Sequence, residues 1–161
     1  GNGVLLTALP ETIDYTGLDF SQVLISKAQS HFSGPNIRFL LADIAKQSTW
    51  QDLLTYDFIA ALAVFHHLST PDDHLKLLRN MKQHLKKNGI CFISVWNLDQ
   101  PKFAQHQHPD NPRLFSIPFH GGPKRDFYAF EPDELTSLAK QADFTNIIPS
   151  QKVKNLYLRL G

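Results

Sequence analysis

Two stretches of this chain, residues 57–64 (Asp-Phe-Ile-Ala-Ala-Leu-Ala-Val) and 90–96 (Ile-Cys-Phe-Ile-Ser-Val-Trp), are almost continuously apolar over the length of one strand. A strand with one wet face alternates polar and apolar residues. One without alternation reads as buried on both faces, as in a parallel sheet covered by helices. Between the two runs the sequence reads as an amphipathic helix. Pro71 opens it, Leu75, Leu78, Met81 and Leu85 form its apolar face, and Lys76, Arg79, Gln83 and Lys86 form the other. Asn88-Gly89 is expected to stop it, with the glycine as left-handed cap. Strand, helix, strand in this order specifies a right-handed parallel α/β unit.

The flanking sequence extends the pattern. Residues 4–9 read as the first turns of a helix closed by Pro10. Residues 14–19 and 36–42 read as short strands, and Ser21 caps a helix with Val23, Leu24 and Ala28 on one side. A helix over 131–141 and strands at 144–148 and 155–160 follow, the last two close enough for an antiparallel hairpin at a sheet edge. Residues 97–130 break the rhythm. They hold five of the ten prolines and read as a long loop, expected to be a recognition insert in a single domain spanning 1–161.

Composition narrows function by exclusion. With 161 residues and a net charge of +1, the chain supports one core and makes no strong electrostatic case for nucleic acid or membrane. Its single cysteine, Cys91, excludes an internal disulfide framework or a multi-cysteine zinc site, and is read as a small core residue in a reducing, cytoplasmic protein. No apolar stretch is long enough to span a bilayer. His106, His108 and His120 have no cysteine or acidic cluster to support them, so no metal site is expected.

Chemistry is indicated near the start. Gly1-Asn2-Gly3 precedes, by about one strand, the segment Gly17-Leu18-Asp19-Phe20-Ser21. A glycine turn followed by an acid at the end of the next strand is how doubly wound sheets hold a nucleoside. Asp19 can accept bonds from two ribose hydroxyls while Phe20 packs on the base; its other reading is a helix-capping aspartate. Asp43, ending the following strand, is placed to meet an adenine amino group with Ile44 over the ring, or else to cap a turn. Leu6 stands where a nicotinamide-dinucleotide fingerprint needs Gly or Ala, so that cofactor is not expected.

This combination resembles the class I S-adenosylmethionine-dependent methyltransferases, whose seven-stranded Rossmann-like sheet is mostly parallel with an antiparallel last strand. The resemblance implies S-adenosylmethionine as cofactor. Gly1, Asn2 and Gly3 would end its loop, Asp19, Phe20 and Ser21 would serve the ribose, Asp43 and Ile44 the adenine, and Ala63 and Val64 the methionine end. Three further stretches resemble the methyltransferases that finish 5-carboxymethyl modifications on the tRNA wobble uridine: Ala63-Val64-Phe65-His66-His67-Leu68, Val95-Trp96-Asn97-Leu98-Asp99-Gln100, and Arg125-Asp126-Phe127-Tyr128-Ala129-Phe130 ahead of Asp133-Glu134-Leu135. The chain departs from that pattern at Ala129, where His is usual, at Asp133, where Gly is usual, and at Asp73 and His74, where arginines are usual. The resemblance implies tRNA as partner, together with a small activating protein subunit.

An amine or hydroxyl acceptor needs a base to remove its proton, whereas a carboxylate is already ionised at neutral pH. Arg125 and Tyr128 are donors suited to aiming a carboxylate. His66 and His67 would be bases for a small-molecule acceptor, donors to a carboxylate, or rings buried to orient the loop. Lys102, Arg113, Lys124 and Arg125, interleaved with Phe103, Phe115, Phe119, Phe127 and Tyr128, are candidates for RNA contact or, for the aromatics, for folding the insert. No strand precedes Gly1, so the sheet is expected to lack its first, central strand, between those at 14–19 and 57–64. The chain is then expected to bind cofactor more weakly than a version extended upstream. A non-catalytic remnant is the remaining alternative.

Overall fold

The computed structural model describes residues 1–118, 122–152 and 154–161. Phe119 and His120, named above, lie outside the described residues. The chain forms two compact units, Gly1–Leu53 and Leu54–Gly161, each with sheets of its own.

In Gly1–Leu53, a 3-10 turn at Val4–Ala8 precedes β1 (Tyr15–Asp19), α1 (Gln22–His31), β2 (Ile37–Leu41) and the single turn α2 (Gln47–Gln51). β1 and β2 pair in parallel, from Tyr15 opposite Ile37 to Asp19 opposite Leu41. α1 begins where the Ser21 hydroxyl accepts the Leu24 N–H, as expected of an N-cap. It buries Ile25 and Ala28, while Val23 is 77% exposed. The face of Val23, Leu24 and Ala28 drawn from sequence is therefore rotated. Residues five apart on a helix point about 140° away from each other, so Val23 and Ala28 cannot share a buried side. Trp50 is buried by α2 and donates its Nε1–H to the Ile44 carbonyl at 2.9 Å.

Leu54–Gly161 contains β3 (Tyr56–Leu62), α3 (Pro71–Gln83), β4 (Leu85–Trp96), β5 (Gln107–His108), β6 (Asn111–Pro118), β7 (Lys124–Tyr128), α4 (Pro132–Gln141), β8 (Ile147–Gln151) and β9 (Asn155–Leu160). Its larger sheet has the order β3-β4-β9-β8. β3 and β4 are parallel, and β9 runs antiparallel to both β4 and β8, which is the mixed pairing the C-terminal hairpin implied. Cys91, Ile93 and Val95 on β4 are wholly buried. β3, by contrast, pairs with β4 alone among the described residues, and its Phe58 and Leu62 are 44% and 42% exposed. The apolar run read as fully buried is thus an edge strand, with sheet neighbours on one side only.

Three other expectations are corrected. α3 buries His74, Leu77, Leu78 and Met81, an i, i+3, i+4, i+7 face; Leu85 already belongs to β4. α3 also ends at Gln83, before Asn88-Gly89. The left-handed residue is Asn88 (φ 65°), and Gly89 is required for closeness instead, because a Cβ there would meet the Lys86 carbonyl at 3.0 Å. Finally, the described residues of 97–130 are no loop. After a 3-10 turn at Pro101–His106 they form an antiparallel sheet, β5-β6-β7, whose inward Phe115, Ile117 and Phe127 pack with Leu98.

Candidate functional site

Most candidates for nucleoside binding lie in Gly1–Leu53. Gly3 adopts the left-handed conformation (φ 79°) at the start of the 3-10 turn, and a Cβ there would meet the Phe32 ring at 2.9 Å. Only glycine fits both conditions. The Asn2 side-chain oxygen accepts the Val4 N–H. The Gly1 amino group donates to Asp19 Oδ2, which brings the glycine turn against the acid at the end of β1. Asp19 Oδ1 accepts the Ser21 N–H at 2.7 Å, closing the turn that leads into α1, whose N-cap is Ser21. An ionised carboxylate has about four acceptor positions; with two in use, capacity remains for a pair of vicinal hydroxyls. Beside it Phe20 is 72% exposed and Leu41 53% exposed, giving an apolar surface for a planar ring. Asp43 Oδ1 accepts the Ala45 N–H at 3.0 Å, and Ile44 is half-buried. These residues fit a nucleoside.

The other candidates lie in Leu54–Gly161. Ala63, just past β3, has φ 55° and donates its N–H to the Ser94 carbonyl at 2.9 Å. A non-glycine residue held there costs about 1 kcal/mol, a strain typical of functional turns. Val64 then starts the 3-10 turn Phe65–His67.

His66 is wholly buried among rings: His67 at 4.7 Å, Trp96 at 4.9 Å and Phe127 at 5.6 Å between centroids. Its Nδ1 accepts the backbone N–H of Trp96 at 3.2 Å. A nitrogen that accepts carries no proton, so the neutral ring bears its hydrogen on Nε2. That atom is buried with no partner among the described residues. Burial, helped by the nearby charge of His67, holds the ring's pKa down to about 3. His66 is therefore neutral, with no lone pair left to act as base. It realises the loop-orienting alternative named from sequence. His67 is exposed and its ring contacts Phe127 at 5.0 Å.

Arg125 and Tyr128, expected to work together, separate. Three residues apart on β7, they face opposite sides of the strand. Arg125 is exposed on the face shared with Phe127, the ring that touches both His66 and His67. Tyr128 is buried on the other side, where its hydroxyl donates to Glu134 Oε1 at 2.5 Å. Burial first, and this bond second, push the hydroxyl up to about 12. Glu134 and Glu131 also hold Arg113, at 3.5 and 3.1 Å. Tyr128 and Arg113 are thus engaged in joining the small sheet to α4. Phe115 and Phe127, offered as RNA contacts, are core.

One positioning residue escaped the sequence reading. His74, wholly buried on α3, donates Nε2–H to two carbonyls of the histidine turn, Phe65 at 3.1 Å and Leu68 at 2.9 Å. The signal was available, since residue 74 lies four and seven positions before Leu78 and Met81 on the buried helical face. Among the described residues no cluster of three metal-ligating side chains occurs, and no helix is long and apolar enough to cross a membrane.

Comparison with known proteins adds to this geometry. A family model described as a methyltransferase domain matches residues 1–148. Over 108 residues the chain is 31% identical to the tRNA (carboxymethyluridine(34)-5-O)-methyltransferase of Saccharomyces cerevisiae, covering 67% of this chain and 37% of that protein. Over 97 residues it is 34% identical to the malonyl-[acyl-carrier protein] O-methyltransferase of Halalkalibacterium halodurans, covering 58% of this chain and 34% of that protein. Among solved structures, an S-adenosylmethionine-dependent methyltransferase from Clostridium acetobutylicum superposes with a TM-score of 0.68 at 16% identity, covering 90% of this chain and 73% of that one. The α/β fold expected from sequence is the one found. The chain spans about a third of the length of the curated relatives it matches.

Proposed function

This chain belongs to the methyltransferase domain family, and from that premise we propose that it methylates a carboxylate with S-adenosylmethionine, the acceptor being 5-carboxymethyluridine at the tRNA wobble position. The observation that carries the reading is the state of His66. The buried histidine of the turn gives up its lone pair to the Trp96 N–H and stays neutral. A turn without a buried base suits an acceptor that has no proton to lose. When bound, S-adenosylmethionine supplies an activated methyl group. Asp19 and Asp43 hold its nucleoside, with Phe20 and Ile44 against the ring. In Leu54–Gly161, Arg125 aims the carboxylate from the strand face it shares with Phe127. The two relatives' names both specify O-methylation, of a carboxymethyl group in one and a malonyl group in the other. Each of those groups ends in a carboxylate, and the stronger of the two matches favours the uridine.

The test is methyl transfer from labelled S-adenosylmethionine to tRNA bearing carboxymethyluridine. The expected product loses its label in mild alkali, as a methyl ester does. Alkali-stable label, or label on malonyl-acyl-carrier protein alone, would overturn the reading. Arg125→Ala is expected to lower kcat/KM for this acceptor by about tenfold or more, the scale of one charged hydrogen bond of ~1.5–3 kcal/mol. Unchanged kinetics would remove Arg125 from the site.

A further inference from the structure

We propose that a cleft at the C-terminal end of β4 binds the phosphate backbone of the acceptor strand, with Lys102 and Lys154 as its anion clamp and Trp96 and Phe103 as a stacking wall. This rests on the reading that the acceptor is an RNA, and it deepens that reading by locating the contact. The cleft encloses about 540 Å³, within the range of ligand sites and ample for a nucleotide. Its lining combines two ammonium groups, from Lys102 and Lys154, with the Trp96 and Phe103 side chains, and no Asp or Glu among the described residues lines it. Two cations without a counter-charge on the wall make a local positive field in a chain whose net charge is only +1.

The residue types suit a phosphate. Lysine is a compact point charge with three donors, which binds phosphate oxygens without demanding a fixed bidentate geometry. The fold provides an arginine elsewhere, Arg125, for the carboxylate. The aromatic wall adds what a bare phosphate site lacks. Lys102 Nζ already lies 4.6 Å over the Phe103 ring, and stacked bases beside cations are the usual composition of single-strand RNA sites. The cleft also connects to the histidine turn through one side chain. The Trp96 indole that lines it packs on His66 at 4.9 Å and on Phe127 at 5.0 Å. A nucleotide held here therefore lies one ring away from the proposed acceptor turn. Gln100 anchors the floor by donating its amide to the Asn97 carbonyl, and the Asn97 N–H in turn donates to the Lys154 carbonyl at 2.9 Å. The backbones bearing the cleft's polar groups are thus tied together before any ligand arrives.

The probe is uridine trinucleotide, followed by quenching of tryptophan fluorescence and, in parallel, by anisotropy of a labelled copy over a salt series. Binding is expected, with log K falling as salt rises. The Lys102→Ala/Lys154→Ala double variant is expected to bind about tenfold more weakly or worse, with the salt slope shallower by about 1.4, since each neutralised phosphate on a single strand contributes roughly 0.7. The Lys102→Arg/Lys154→Arg variant, which keeps the charge, is expected to restore the slope. Far-ultraviolet dichroism confirms that each variant is folded. Trinucleotide binding with affinity and slope unchanged in the alanine variant would overturn the cleft while leaving an RNA acceptor intact. Binding of 4′-phosphopantetheine in place of the trinucleotide would overturn the RNA occupant and the proposed function with it. Binding of neither would overturn the cleft.

Discussion

In Gly1–Leu53 the buried hydrophobic side chains are Ile25, Ala28 and Trp50, whereas in Leu54–Gly161 β4 alone buries Cys91, Ile93 and Val95 completely. The first unit turns much of its apolar surface outward, at Val4, Phe20, Val23, Leu40 and Leu41, and is held by caps and turns such as Ser21 to Leu24 and Asp43 to Ala45. The second packs rings on rings around His66 and His74. A unit of some 50 residues with so thin a core is marginal alone. The difference separates two kinds of recognition. The candidate nucleoside surface is apolar and open, with Asp19 and Asp43 to fix orientation, so most of its order is available for a ligand to supply. The histidine turn is pre-organised by packing before any ligand binds.

The largest expected effect falls on the open half. Asp19→Ala is expected to weaken S-adenosylmethionine binding about 100-fold or more by titration calorimetry, in this chain or one extended upstream. That is the scale of two charged hydrogen bonds at ~1.5–3 kcal/mol each. If the contrast holds, unfolding of Leu54–Gly161, followed by Trp96 fluorescence, is unmoved; a tenfold loss or less would reduce Asp19 to the turn before α1 that it already closes.

The next effect belongs to the packed half. Burial lowers the pKa of both His66, to about 3, and His74. Below the ordinary histidine pKa of ~6.5 the unfolded chain takes up protons that the folded chain refuses. Stability is therefore full above ~6.5 and declines as pH falls toward the folded values. For His66 alone the loss is about 3 kcal/mol at pH ~4.5 relative to pH ~7. Urea titrations at the two pH values should show that His66→Phe removes that share of the acid sensitivity. An identical loss in the variant would mean that the ring is not buried neutral. The smallest effect tests the seam between the small sheet and α4. Tyr128→Phe is expected to cost about 1 kcal/mol in urea unfolding by removing the bond to Glu134, with acceptor kinetics unchanged. A tenfold loss of kcat/KM instead would return Tyr128 to the acceptor site.

Legibility in the sequence followed the range of the interactions. β1, β2, β4 and β9 and the capped starts of α1 and α3 were readable because apolar runs and cap residues act locally. The antiparallel pairing of β8 with β9 was readable from the short link before Asn155; the order β3-β4-β9-β8 was not. The small sheet was not, because its prolines read as loop and masked the alternation of Leu114, Phe115, Ser116 and Ile117. In the site, Asp19 and the histidine turn were legible as residue types at strand ends. The choice among the readings of His66, and the roles of Tyr128 and His74, were not, because each depends on a partner on another element: the Trp96 N–H, Glu134 on the next helix, and the carbonyls of Phe65 and Leu68 on the previous turn.

The bifurcated hydrogen bond from His74 to that turn carries a consequence for how such an enzyme can change. One ring proton serves two carbonyls, so the shape of the histidine turn is recorded on α3, several residues further along the chain. Evolution can then retune the turn without touching it, by sliding or re-facing a helix whose outer side is free to vary. A substitution at residue 74 would therefore reach the turn through its backbone, from a side chain buried on another element.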